Sequence, residues 1–485
     1  MLFMPMSGMD KVVLVTTLAA TLFIYLRNRT RSALPYPPGP AKLPLLGNVL
    51  DFPRSFPWET YARWAKELDS DIIHLSAVGK DFILLNSFKA ATDLLDKKSA
   101  IYSDSMGWDW LFSSMPYGEP WRERRRTFQQ YFSNRSTHVY QTHQIKFARK
   151  ALLRLLDHSE DFFGIIHHLT GGVAISLAYG FKIQDVNDPF IDLSQRAFQS
   201  ALNATLPGAF LVDVIPWLKY VPEWVPGAGF QKKAKAWRKL QAAFRELPYA
   251  EAVKSLASGT AMPSFTSHWS EKLVNTSDSR RQEGVVKDVG AIVFAGANDT
   301  TVAAIKTFFA AMLSFPEVQN DEPNLPYISA LVKELLRWRP VTPLALPHQV
   351  TEDDVYGGYH VPKGAFVIAN AWAMLHDEED YPDPFSFRPE RFLTEDGKLN
   401  SAVRDPSLMA FGFGRRICPG SHVAVSMLWL WAASFLATFS VSKAVDEDGT
   451  VLEASVEYQS SSVTFHPLPF KSLEELIRSH SLAEA

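Results

Sequence analysis

The residue that this chain uses least is cysteine. Cys418 is its only cysteine among 485 residues. A single cysteine excludes an internal disulfide and any metal centre that needs several thiolates. It also fits a domain that faces a reducing compartment such as the cytosol. Two roles remain for this thiol: a single ligand to a metal or cofactor, or a buried structural side chain.

Other absences narrow the class of protein further. The formal net charge of −3 shows no basic excess of the kind that binds nucleic acid. No Gly/Ser-rich linker, repeat or low-complexity run divides the chain after residue 50. One large domain over residues 49–485 is therefore expected, although length alone favours more than one. A hydrophobic share of 47% suits a large apolar interior.

The surroundings of the cysteine favour the ligand role. It lies in the decapeptide FGFGRRICPG, residues 411–420. Arg415 and Arg416 are expected to lower the pKa of the thiol. Glycines in the decapeptide let the backbone turn tightly and a flat cofactor approach closely. A thiolate that faces a planar haem pushes electron density onto iron and favours cleavage of the O–O bond.

The decapeptide resembles the haem-binding signature of the cytochrome P450 superfamily, the haem-thiolate monooxygenases. The resemblance extends along nearly the whole chain and is greatest to membrane-bound fungal enzymes of secondary metabolism. It implies a mainly α fold with a small β region, the cytochrome P450 fold. It also implies haem b with its iron ligated by Cys418, and electrons from NADPH through a membrane-bound NADPH-cytochrome P450 reductase.

The N-terminus predicts a membrane anchor over residues 9–27. Val12–Leu26 carries no charge and is followed by Arg27, Arg29 and Arg31. A span needs about twenty apolar residues, and flanking basic side chains can snorkel to make up the difference. A cleaved signal peptide is the alternative, but the basic cluster follows the apolar run and no small-x-small site comes after it. The positive-inside rule then predicts a single-pass protein of the endoplasmic reticulum with a cytosolic catalytic domain.

Two further segments concern the membrane. Residues 28–48 are proline-rich and predict a stiff hinge. In the resembling family such a segment orients the catalytic domain against the anchor. Trp217–Gly229 combines aromatic residues with prolines, which suits a loop at the membrane interface or a connector packed in the core.

Periodicity places the main elements around the cysteine loop. Strands are predicted at Ile72–Ser76, Phe82–Leu85 and Phe366–Asn370. Val285–Phe315 is apolar on nearly every side, which predicts a central helix. A second apolar helix is predicted over Ser421–Phe439, with its N-terminus directed toward the thiolate.

The central helix contains the polar run Gly296-Ala-Asn-Asp-Thr-Thr301. This run resembles the family's oxygen-activation motif, in which Thr300 and Asp299 deliver protons to reduced dioxygen. The alternative is a structural threonine bonded to the carbonyl four residues before it. Ala297 and Asn298 depart from the family pattern of a glycine followed by a small residue. The departure predicts an altered oxygen groove and uncoupled turnover.

The resemblance also assigns residues that hold the cofactor and the scaffold. Trp121, Arg125, His348 and Arg416 are expected to contact the haem propionates. Glu334, Arg337 and Arg391 are expected to form a structural ion-pair triad on the cysteine side of the haem. The neighbouring basic residues suit either a solvated helix face or a docking patch for an acidic electron donor: Arg122, Arg124 and Arg126.

Monooxygenation of an apolar small molecule is the function predicted from these motifs, with a terpenoid, polyketide or indole as substrate by resemblance. The expected pocket comprises Met106–Met115, Phe294, Val341–Leu346 and Ser460–Ser462. One alternative is a haem-thiolate isomerase or dehydratase, which needs no reductase. Another is a non-catalytic membrane haem protein, suggested only by stretches near residues 104–106 and 319–325 that are shorter than in the family.

Overall fold

Helices make up most of the described chain. The structure is a computed structural model, and it describes residues 16–17, 34–44, 46–105, 111–133, 136–157, 161–205, 210–214, 216–273, 278–319, 325–443, 456–460, 464–468 and 477–479. Its longer helices are α1 (Pro57–Glu67), α3 (Glu119–Tyr131), α4 (Thr137–Asp157), α5 (Phe162–Ala178), α6 (Pro189–Thr205), α8 (Gly229–Ala257), α9 (Phe265–Leu273), α10 (Ser279–Ser314), α11 (Leu325–Trp338) and α14 (Ser421–Leu436). Short helices are α2 (Phe88–Ala91), α7 (Leu211–Val214), α12 (Ala371–Leu375) and α13 (Ser407–Ala410).

The strands form small sheets. They are β1 (Ile72–Ala77), β2 (Lys80–Leu85), β3 (His348–Gln349), β4 (Asp354–Tyr356), β5 (Tyr359–Val361), β6 (Phe366–Ala369), β7 (Phe439–Val441), β8 (Tyr458–Ser460), β9 (Phe465–Pro467) and β10 (Ile477–Ser479). The largest sheet has the order β1-β2-β6-β3, with β2 and β6 parallel and the other pairs antiparallel. The remaining described strands pair as β4 with β5, β7 with β10, and β8 with β9. The mainly α prediction with a small β region is therefore confirmed.

The central helix α10 organises the interior. Its residues from 301 to 313 are all buried, as expected for a helix that is apolar on nearly every side. It packs against α5, α9 and α14, among other elements. Phe309 makes edge-to-face contacts with Phe162 of α5 and Phe435 of α14, with ring centroids 4.3 and 4.8 Å apart. This packing holds the polar run of α10 in the middle of the molecule.

The predicted strands near residues 72, 82 and 366 are confirmed, and so is the central helix. The prediction that the helix after the cysteine continues to Phe439 is wrong. Helix α14 ends at Leu436, and Phe439 begins β7, which pairs with β10. The change of partner explains the difference, because the buried Phe439 ring packs through a strand and not through another turn of helix.

The described part of the proline-rich hinge lies against the sheet. The carbonyl oxygen of Pro38 accepts a hydrogen bond of 2.9 Å from the backbone of His74, and that of Pro35 accepts one of 2.8 Å from His360. Tyr36 stacks on the His74 ring with centroids 4.4 Å apart. Most of the predicted anchor, residues 9–27, lies outside the described residues. Among all the residues of the chain that the structure describes, no helix is both long and apolar enough to cross a bilayer.

Candidate haem site

The cysteine loop is a tight turn built on glycine. Gly412 and Gly414 have φ values of 77° and 58°, in the left-handed region that favours glycine. At Gly414 a Cβ atom would lie 2.0 Å from the carbonyl oxygen of Leu95, so no side chain fits there. The backbone of Cys418 donates a hydrogen bond of 2.8 Å to the carbonyl of Phe411, which closes the loop. Helix α14 begins three residues after the cysteine, so its N-terminus lies beside the thiol.

The electrostatics of Cys418 differ from the prediction. Burial raises the pKa of the Cys418 thiol, and the charge that acts against this rise is Arg125 on α3, together with a backbone hydrogen bond from Gly420. Arg415 instead donates to the Tyr117 hydroxyl at 3.0 Å. Arg416 points to backbone carbonyls. Among the described residues, the charge that favours the thiolate is therefore Arg125 of α3, and not the two arginines that precede Cys418.

Arg416 binds the segment that leads into α3. Its guanidinium donates to the carbonyl oxygens of Ser103, Ser113 and Met115, at 2.6, 3.1 and 2.5 Å. It also lies over the Trp121 ring, 5.1 Å from the centroid. Burial lowers the pKa of Arg416 to about 10.

Arg125 and His348 complete the set assigned to the propionates. The Arg125 guanidinium donates a hydrogen bond of 2.7 Å to the carbonyl of Ile417. Burial lowers the pKa of His348 to about 4, with a contribution from Arg416. Its Nδ1 lies 2.7 Å from the carbonyl oxygen of Tyr102, which can only accept, so Nδ1 carries the proton. The structure thus brings Trp121, Arg125, His348, Arg416 and Cys418 together, although they come from three distant segments.

These residues fit a haem. Arg125 and Arg416 are both half-buried, and within the described residues neither forms an ion pair with a carboxylate. Two haem propionates would supply the missing carboxylates. A carboxylate beside His348 would also favour its cationic form, which could then donate through Nε2. On the opposite wall, a Cβ atom at Gly296 would meet nothing within 4 Å, so α10 leaves room there for a flat group.

One face of α10 borders this space. Ile292, Gly296 and Thr300 are half-buried or exposed, whereas Val293 and Val302 are buried. Ile292, Gly296 and Thr300 are spaced four residues apart, which places them on one face of the helix.

The two ends of this face have different contacts. Ile292 packs against an apolar group on the α3 side: Phe112, Met115 and Trp121. The Thr300 hydroxyl donates to the carbonyl of Gly296 at 2.5 Å, which is the structural bond that the sequence left as an alternative.

The next residue, Asp299, has a partner that sequence reasoning missed. Its Oδ2 atom lies 3.0 Å from Nε2 of His466 in β9. The two residues are 167 positions apart. No periodic signal in one sequence indicates such a pair, although a histidine between the apolar residues Phe465 and Pro467 was a visible anomaly.

One expectation about α10 is wrong. Phe294 does not line the pocket, because it is fully buried between Tyr179 and Phe244. Of the other expected pocket residues, 106–110 and 461–462 lie outside the described part.

The two residues that depart from the family pattern face the protein interior. The Asn298 side chain accepts a hydrogen bond from Thr170 at 3.0 Å on a buried face. Ala297 is half-buried and packs against the helical core.

The triad residues form a buried network behind the cysteine loop. Glu334 and Arg337 have no exposed side-chain surface and are joined by two hydrogen bonds of 2.7 and 2.8 Å. Arg391 donates to the same carboxylate at 3.1 Å. Both arginines also donate to the carbonyl of Ser386. The network therefore fastens α11 to the chain that precedes the cysteine loop.

The exposure of individual side chains decides between the alternatives for two surface segments, the basic run of α3 and the loop over residues 217–229. Arg124 is withdrawn from any docking patch, because it is 15% exposed and pairs with Asp288. Arg122 and Arg126 remain exposed and share Glu119.

In the loop over residues 217–229, Trp217 and Trp224 are 65% and 80% exposed. That exposure excludes the interpretation of this loop as a connector packed in the core.

Comparison with known proteins decides the family. The family model described as Cytochrome P450 matches residues 37–471. The chain belongs to the cytochrome P450 family. Cytochrome P450 monooxygenase ple1 of Rhodocybe pseudopiperita is 44% identical over 91% of this chain and 91% of its own. Cytochrome P450 monooxygenase 98 of Postia placenta is 40% identical over 96% and 95%. The tryptamine 4-monooxygenase of Psilocybe cyanescens is 37% identical over 95% and 96%.

Membership of the cytochrome P450 family sets the chemistry class. The protein is a haem monooxygenase of the fungal type, and the family implies haem with thiolate ligation. Because Cys418 is the only cysteine, it is the only residue of this chain that can supply the thiolate. Cytochrome P450 enzymes generally act on small molecules and receive electrons from a redox partner.

Proposed function

We propose that this cytochrome P450 hydroxylates a mostly apolar fungal secondary metabolite of terpenoid, polyketide or indole type. The observation that carries the proposal is the open face of α10 at Gly296 and Thr300, on which Ile292 packs against Trp121, the residue under the Arg416 guanidinium. Phe112, Met115 and Ile292 supply an apolar wall, which favours an apolar substrate. When bound, the haem would supply oxygen activation, and the relative that acts on tryptamine supports the indole option.

The reaction sets what the residues must do. One turnover consumes O2, one substrate C–H bond, NADPH and a proton, and it yields an alcohol, water and NADP⁺. The oxygen that leaves as water therefore needs two protons. Asp299 is proposed to deliver these protons to the oxygen groove. The Thr300 hydroxyl is proposed to orient their transfer. Trp121, Arg125, His348 and Arg416 would hold the propionates, while Glu334, Arg337 and Arg391 support the loop.

The electron donor is proposed to be NADPH-cytochrome P450 reductase. Exposed arginines lie around Tyr117 on the cysteine side: Arg122 and Arg415 have guanidinium carbons 5.6 and 5.3 Å from its ring centroid. Arg126 lies on the same helix as Arg122 and is also exposed. A positive patch of this kind suits an acidic flavoprotein and promotes its encounter at low ionic strength.

The membrane association is also a proposal. Residues 9–27 are proposed as the anchor in the endoplasmic reticulum and 28–48 as the hinge, with the catalytic domain over 49–485 in the cytosol. Trp217 and Trp224 would add a second contact at the interface. Removal of residues 1–31 should retain haem and leave residual binding to phospholipid vesicles. Serine at both tryptophans should abolish that residual binding, and retention of full binding would contradict the second contact.

The function is tested by reconstitution with reductase, NADPH and ¹⁸O2. A panel of tryptamine, an apolar terpenoid and an aromatic polyketide is screened first by the change that binding causes in the haem spectrum. The proposal expects a product that gains one labelled oxygen atom and forms only with NADPH and reductase. A product that forms without NADPH and contains no label would instead identify an isomerase or dehydratase.

A further inference from the structure

The contact between Asp299 and His466 is unexplained by the family motif. His466 belongs to the hairpin of β8 and β9, in which Gln459 pairs with His466. Its neighbours Phe465 and Pro467 are buried, and Phe465 packs against Trp58 with centroids 5.0 Å apart. Successive strand side chains point to opposite faces, so burial of these two directs His466 the other way, onto α10. The histidine is thereby held by its strand independently of Asp299.

Asp299 lies in a small group of ionisable side chains at the junction of three elements. His167 of α5 and Lys306 of α10 are both within electrostatic range of the carboxylate. Lys306 is 9% exposed and lies over the Phe163 ring, 4.8 Å from its centroid.

The other charged group near the hairpin does not face Asp299. On the far side of the hairpin, Arg339 lies over the rings of Tyr458 and Phe465. His466 is the member of this group whose side chain contacts Asp299 at hydrogen-bond distance.

Solvent reaches this group directly, because the side chains of His466 and Asp299 are 18% and 22% exposed. His167 and Gln195 line a surface cleft of about 620 Å³, whose wall includes Asp188 and Asp192. Gln195 Nε2 lies 2.9 Å from His167 Nδ1. One turn later on α5, Thr170 donates to Asn298, the residue next to Asp299. His167, which lies within electrostatic range of Asp299, thus also faces this polar cleft.

We propose that His466 positions Asp299 and resupplies it with protons from solvent during oxygen activation. The inference rests on the proposed monooxygenase function and extends it to a residue outside the motif. In each cycle, a solvent hydronium ion protonates Nδ1 of the imidazole and becomes water, and the Nε2–H of the imidazolium passes a proton to the Asp299 carboxylate. Asp299 gives that proton to the groove near Thr300. Asp299 is then a carboxylate again and the imidazole is its Nδ1–H tautomer. Proton exchange with solvent restores the Nε2–H tautomer, after which a second cycle supplies the second proton of the turnover. No electrons pass through the pair.

An imidazole suits this task for a chemical reason. Near neutral pH a histidine can both take a proton from water and release it, whereas an amide cannot do so. Glutamine in its place keeps a hydrogen-bond donor within reach of the carboxylate but removes the proton transfer. The substitution His466→Gln therefore separates the positioning of Asp299 from the supply of protons to it. His74 provides a matched control, because its Nε2 lies 2.8 Å from Asp81 in the sheet, away from α10.

The experiment compares wild type, His466→Gln, His466→Phe and His74→Gln as holoenzymes with reductase and NADPH, without added substrate. Measured are NADPH oxidation, oxygen uptake and peroxide in H2O and D2O between about pH 6 and 8. The thermal unfolding midpoint, the carbon monoxide difference spectrum and the rate of first haem reduction, trapped with carbon monoxide, are measured in parallel. These three readouts report structure, ligation and electron input independently of proton supply.

For His466→Gln we expect NADPH oxidation to fall on the order of 10²-fold, the lower end for loss of a positioned proton-transfer group. The solvent isotope effect should rise. The unfolding midpoint, the spectrum and the rate of first reduction should stay unchanged. His466→Phe should show the same kinetic loss and a lower unfolding midpoint, and His74→Gln should keep the wild-type pH profile.

Two results would overturn the proposal. If His466→Gln oxidises NADPH at the wild-type rate with the wild-type pH profile, the contact with Asp299 is structural only. If first reduction slows as much as overall turnover, the histidine acts on electron input. If the reconstituted wild type instead yields a product that forms without NADPH and contains no ¹⁸O label, the proposed hydroxylation is refuted, and this inference with it.

Discussion

The guanidinium of Arg125 donates a hydrogen bond of 2.7 Å to the carbonyl oxygen of Ile417, the residue immediately before Cys418. One side chain of α3 thus fixes the backbone beside the thiol and places a positive charge near the sulfur. The same group is free of any described carboxylate partner, which suits a haem propionate. The cation that matters most to the thiolate is therefore about 290 residues away from it in sequence.

Arg125→Gln should weaken haem retention. The variant loses the charge that favours both the thiolate and a propionate, and a charged hydrogen bond of this kind contributes about 1.5–3 kcal/mol. We expect haem transfer to apomyoglobin to become about tenfold faster or more. Arg126→Gln on the same helix is the control, because that residue is exposed and pairs only with Glu119 among described residues. Equal haem loss from both variants would refute the assignment.

Glu334→Gln should be strongly destabilising. The change leaves the buried guanidinium of Arg337 without its carboxylate, which typically costs about 3–5 kcal/mol. Glu119→Gln removes the partner of two exposed arginines and should cost far less, because solvent screens exposed ion pairs. Urea unfolding of the holoenzymes compares the two. Similar unfolding midpoints for both variants would mean that the triad contributes little to the scaffold.

Thr300→Ala should uncouple the reaction. NADPH consumption should continue while product falls and peroxide rises, because the hydroxyl that supports the second protonation is lost. Thr300→Ser keeps a hydroxyl and should remain largely coupled. Ala297→Gly should leave coupling unchanged, because Ala297 packs against the core and shares its face with buried Val293 and Thr301. A product-to-NADPH ratio unaffected by Thr300→Ala would reduce the threonine to the structural role of its bond with Gly296.

The stability of the protein should fall as the pH drops below neutral. Burial lowers the pKa of His376 to about 3, so the ring is neutral in the folded state and becomes protonated when the chain unfolds. The unfolded state then binds more protons, and stability is lost as pH falls below about 6.5. Between pH 7 and about pH 5 this single group contributes a loss of about 2 kcal/mol. His376→Phe should reduce the loss measured by thermal unfolding, and an identical pH dependence would contradict this cause.

The features that the sequence predicts correctly are those that depend on residues close together in the chain. The strand Ile72–Ala77 and the helix Ser279–Ser314 could be predicted because a local periodicity reports which side of an element is buried. The cysteine loop could be predicted because one short motif contains its chemistry. The pair of Asp299 and His466 could not, because tertiary packing alone brings α10 and β9 together.

The errors had the same origin. Phe294 occupies the right helix, but which neighbours its side chain meets depends on how α8 packs around it. Arg124 belongs to a basic run, yet Asp288 of α10 withdraws it from the surface. A charge pattern alone cannot distinguish a surface arginine from one paired across two helices. The structure therefore changes the roles of individual residues while the family assignment stays the same.

The central claim is that Cys418 ligates haem iron as a thiolate. The most direct test is the carbon monoxide difference spectrum of the reduced protein, for wild type and Cys418→Ser. The wild type should show the red-shifted Soret band of thiolate-ligated haem. The serine variant should lose that band and its turnover, because serine stays protonated and is a poorer iron ligand. A wild type without the band, or a serine variant with unchanged spectrum and product formation, would contradict the account.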